Sequence, residues 1–184
     1  AFASISSHPE FEGLLQRLKS NLNVSNLSFK RAVDLNTEWR EQTFSSTRHA
    51  RERLGQGLAV LQDKTFPPMR TELRNSISGV LETGKEVILL GDEGHGKSWL
   101  SAQLCSDEAG LALFISAEQL DGVPVDDLDD FLVDLLIKQT GEVADDTLNL
   151  RWKHRLKAWR ITPPVASLLV VVDGLTQQLN IRWD

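Results

Sequence analysis

The stretch LLGDEGHGKSWL, residues 89–100, constrains this chain more than any other. It joins an apolar run, EVILL at 86–90, to a loop with glycines at 91, 94 and 96, followed by Lys97 and Ser98. The apolar run reads as a short buried strand of the type found in parallel sheets. A helix is expected to follow, from about residue 97 to 105. Glycines let a backbone curl until several N–H groups point into one concavity, and a helix adds its positive N-terminal end there. A phosphate fits such a place. Residues Gly91 to Ser98 meet the pattern G-x-x-x-x-G-K-[ST] at every fixed position. That pattern arises by chance in roughly one chain of this size in a hundred, judged from average residue usage. In this reading Gly91, Asp92, Glu93, Gly94, His95, Gly96, Lys97, Ser98 and Trp99 form the nucleotide-binding segment. Lys97 would reach the β- and γ-phosphates, and the Ser98 hydroxyl would bind Mg²⁺. His95 stands at a variable position, where it is either a filler or a side-chain contact to nucleotide.

A phosphate loop needs a carboxylate to help hold the metal. LLVVVD, residues 168–173, reads as another buried strand and places Asp173 at its C-terminal end, where ligands sit in open α/β sheets. Asp173 is expected to orient Mg²⁺ opposite Ser98, through a water. Lys97 and Asp173 are thus the candidate catalytic residues, and Ser98 and Asp173 the candidate metal ligands. Many ATPases of this type carry a glutamate directly after the aspartate to activate the attacking water. Here Gly174, Leu175, Thr176 and Gln177 follow. Hydrolysis is therefore expected to be slow, or to depend on residues elsewhere.

Around these motifs the chain reads as alternating strands and helices, an α/β fold built on a parallel sheet. LALFIS, 111–116, is a further strand. Leu128, Phe131, Leu132, Leu135 and Leu136 form a narrow apolar stripe on a helix ended by Gly141. Leu148, Trp152, Leu156 and Trp159 mark a core face on another helix, over 147–160, whose basic residues read as a solvated face. Met69, Leu73, Ile77, Val80 and Leu81 mark an amphipathic helix stopped at Gly84. Residues 1–65 read as a helical N-terminal segment or linker, with one helix near 8–22 and a second over about 28–53. Residues 66–184 read as the N-terminal part of a nucleotide-binding domain. Arg70 is an ordinary surface arginine or a neighbour of the nucleotide base.

Composition excludes several classes. The net charge of −6 is unevenly spread: residues 86–148 hold 15 acidic and 2 basic side chains, while 1–85 and 149–184 carry +3 and +4. An acidic middle argues against a nucleic-acid surface there. No apolar run approaches the roughly 20 residues that span a bilayer, and AFASISSHPE has no signal-peptide pattern. One cysteine, Cys105, rules out an internal disulfide framework and reads as a small core residue of a cytoplasmic protein. His8, His49 and His154 lack metal-ligand spacing.

GDEGHGKS followed by VVVDGL resembles the STAND class of P-loop NTPases, the signalling relatives of AAA+ proteins that include NACHT-type ATPases. The approach FPPMRTELRNSISGVLETGKEVILLGDEGHGKSWL is similar to theirs, and so are the D-G-L after the strand and the tryptophan at 183. The resemblance covers about residues 66–184. It implies a cytoplasmic ATP-controlled switch, homo-oligomeric when active, with effector and sensor regions elsewhere, often serving bacterial antiviral defence. Thr176 and Gln177 depart from the acidic residues that the family often shows there. The resemblance also implies a sheet ordered 5-1-4-3-2, of which this chain holds only the first three strands, so a partial chain is expected. The rival readings are an AAA+-like remodelling ATPase, and a non-catalytic interaction module formed by residues 1–65 beside a vestigial core.

Overall fold

A computed structural model describes residues 27–58, 71–161 and 168–175. The expected helix over 8–22, Met69, Arg70 and Trp183 lie outside the described residues, as do Thr176 and Gln177. The elements are α1 (Phe29–Thr43), α2 (Thr47–Leu54), α3 (Thr71–Leu81), α4 (Lys97–Asp107), β1 (Leu111–Ser116), α5 (Leu128–Thr140), α6 (Asp146–Ile161) and β2 (Leu168–Asp173). Short 3-10 turns at Ala117–Leu120 and Val125–Asp127 lead from β1 into α5.

The molecule is mixed α/β and mostly helical, with a sheet of two parallel strands among the described residues. β1 and β2 pair from Leu111↔Leu168 to Ser116↔Asp173. Parallel neighbours need a crossover, and α5 and α6 supply it. Leu111, Leu113 and Ile115 pack with α5, α6 and the start of α1, around the fully buried Trp152. Ala112 and Phe114 pack on the other face with Phe44, Ala50 and Leu54, and with Ala102 and Cys105 of α4. Successive strand residues point to opposite faces, so a strand buried on both must be apolar throughout, as LALFI is.

The outer edge of β1 is closed by side chains. Ala112 N donates to Asn36 Oδ1 of α1 at 2.9 Å, and Gln139 Nε2 of α5 donates to Phe114 O at 3.2 Å. Two carboxamides therefore stand where a further strand would pair, and the sheet ends there. On the far side of β2 no strand pairs among the described residues, and Val170 is exposed.

Three expectations change. EVILL is not a strand of this sheet: residues 86–90 form no ladder, and Ile88 and Leu90 are 78% and 85% exposed. Val87 and Leu89 remain half-buried, so the alternation of a strand persists without a neighbour to pair with. Three strands are thus expected and two are formed. The helix expected over 28–53 is broken into α1 and α2, because Ser46 caps a new start by accepting from His49 N. The stripe on α5 is wider than expected: Val133 and Ile137 are buried with Leu135 and Leu136, because α1, α6 and β1 all pack on this helix.

Candidate functional site

The loop at 91–96 is held open by backbone geometry. Gly94 and Gly96 have φ of 79° and 73°, in the left-handed region that a side chain disfavours. Gly96 is the N-cap of α4 and lends its carbonyl to the first helical bond, from Leu100 N at 3.0 Å. The loop closes on itself through His95 N donating to Asp92 O. The first turn of α4 carries no acidic residue, so the positive end of that helix is not neutralised locally.

Lys97 starts α4 and folds back over the loop. Its ammonium donates to Gly91 O at 2.7 Å and to Asp92 O at 2.8 Å. These bonds hold a cation against the curled backbone without any carboxylate. Ser98 is half-buried on the same turn, and Asp92, Glu93 and His95 are exposed. Trp99 is half-buried and packs against the core beneath α4, which anchors the first turn.

Asp173 ends β2 and is 8% exposed. Among the described residues no ion pair or hydrogen bond engages its carboxylate, and none joins it to Lys97 or Ser98. α4 packs against both strands, so one contiguous unit carries Lys97, Ser98 and Asp173. A carboxylate and a hydroxyl are hard oxygen donors and fit Mg²⁺, which keeps several waters and takes one or two protein ligands. Among the described residues no cluster of three or more His, Cys, Asp or Glu forms a metal site made by protein alone.

One neighbour of Asp173 escaped the sequence reading. Ser116 lies in register with Asp173 at the end of β1, and Glu118 follows in the next turn, exposed and unpaired among the described residues. Only the pairing of β1 with β2 brings Ser116 into register with Asp173, which local sequence does not reveal. Cys105 is fully buried, and burial pushes its thiol up to about 12. His49 Nδ1 shares a hydrogen bond with Ser45 Oγ at 2.9 Å. The basic side of α6 is not simply solvated: Lys153 pairs with Asp130 and Arg160 with Asp129, both at 2.5 Å, and Arg155 stacks on Trp152.

No protein-family model, curated protein or solved structure matches this chain. Among the described residues, no helix is long and apolar enough to cross a membrane.

Proposed function

We propose that this chain is the nucleotide-binding part of a P-loop NTPase, working as an ATP-controlled switch of the STAND type. The observation that carries the reading is the glycine loop capping α4, with the Lys97 ammonium drawn over the loop backbone. A triphosphate offers that ammonium stronger acceptors than two neutral carbonyls, so phosphate oxygens would replace Gly91 O and Asp92 O. The loop N–H groups and the end of α4 add fixed positive potential. Ser98 and Asp173 would hold Mg²⁺, which supplies charge neutralisation at the β- and γ-phosphates when bound.

The general base is the weakest part of the machinery. Gly174 follows Asp173, where many such ATPases carry a glutamate. Slow turnover fits a switch better than a motor, which separates this reading from the remodelling ATPase. The free-standing module of residues 1–65 has less support, because α1 and α2 supply both core layers. An antiviral role rests on the resemblance alone.

Calorimetric titration with ATP and Mg²⁺ tests the proposal. The chain should bind, Lys97→Ala should lose about a hundredfold or more in affinity, and Asp173→Asn should lose the Mg²⁺-dependent part. Equal ATP affinity in the chain and in Lys97→Ala would sink the phosphate-loop reading.

A further inference from the structure

Arg40 is the most deeply buried cation among the described residues, at 1% exposure, and no carboxylate pairs with it. All five of its N–H donors are used. Nε donates to Asn36 O at 3.3 Å, and Nη2 to Thr37 Oγ1 at 2.9 Å, both within α1. The other three reach across to the end of α4: Nη1 to Cys105 O at 2.6 Å and Glu108 O at 2.8 Å, and Nη2 to Gly110 O at 3.0 Å. The last carbonyls of a helix lack partners within it and carry its partial negative charge. The guanidinium therefore serves as both cap and counter-charge for α4.

Both ends of α4 are thereby specified. Its first turn carries Lys97 and Ser98, and its last turn is gripped from α1. An 11-residue helix is a rod of about 16 Å. Packed cores transmit displacement and do not absorb it. α1 is tied onward: Arg53 of α2 donates to Trp39 O at 3.1 Å, Thr43 Oγ1 at 3.0 Å and Gln42 Oε1 at 2.8 Å. Asn36, one turn before Arg40, holds the edge of β1.

We propose that Arg40 is a positioning residue that couples the phosphate loop to the N-terminal helices, so that phosphate at the head of α4 is read out at α1. The proposal rests on the phosphate-loop reading of residues 91–98. Its partner is the N-terminal part of this same chain. A point-charge ammonium cannot span three carbonyls in different directions, so lysine should not replace arginine here.

Hydrogen exchange of the full chain, with and without saturating MgATP, tests the coupling. Exchange in residues 29–43 should slow by about tenfold when MgATP binds, and the effect should vanish in Lys97→Ala. Arg40→Lys should bind MgATP about tenfold more weakly and, at saturation, show no response in α1. Leu150→Ala, at an exposed position of α6, should keep both binding and response. If Arg40→Lys fails to fold, the decision falls to the unaltered chain. MgATP binding with no change in residues 29–43 overturns the coupling and leaves the phosphate loop standing. A response in Arg40→Lys equal to that of the unaltered chain does the same. No MgATP binding by the unaltered chain overturns the phosphate loop, and the coupling with it.

Discussion

At the scale of single residues, burial decides chemistry. Cys105 sits on the helix that follows the glycine loop, yet it is no nucleophile. It lies among Ala102, Ala112 and Phe114, and desolvation raises its thiol from an ordinary 9.0 to about 12, against a weaker opposing pull from Arg40. The sign of the linkage follows. The unfolded thiol ionises first as pH rises, so the folded state binds more protons between pH 9 and 12 and loses stability across that window. Urea midpoints should fall more steeply between pH 9 and 11 in this chain than in Cys105→Ala. A parallel fall in both would place the thiol elsewhere than in the core. The core assignments of Cys105, Trp152 and Trp159 were legible because apolar side chains at helical spacing need a dry face. The role of Arg40 was not legible, since an arginine amid charged neighbours reads as surface until its partners, 65 to 70 positions away, are known.

At the scale of elements, stop signals were the most readable feature. Gly141 ends α5 with φ of 69°, and its amide donates to Lys138 O at 3.3 Å. A Cβ there would meet nothing within 4 Å, so alanine suffers only from the left-handed backbone. Gly141→Ala should cost about 1 kcal/mol in a denaturant titration, with the fold kept. LALFIS and LLVVVD form strands at the expected bounds, whereas EVILL does not. The three runs have similar composition. A strand is completed by its neighbour, and only the first two pair with each other.

At the scale of the whole molecule, the N-terminal helices are structural members of the α/β unit. Leu27 and Ala32 enter one core layer, Phe44, Ala50 and Leu54 the other, and Asn36 seals the sheet edge between them. A chain starting at residue 66 would expose those faces and strand the Ala112 amide, a loss far above the margin of a domain this size. It should show no cooperative thermal transition. A sharp transition in that shortened chain would show that the helices are dispensable. The sequence by itself determined the loop glycines, the lysine and serine after them, the apolar runs that can form strands, and the stop of α5 at Gly141, because each follows from local sterics or from the period of apolar residues. Tertiary structure decided which strands pair, what closes the sheet edge and where Arg40 points. Those depend on contacts between segments far apart in the chain, which local patterns do not encode.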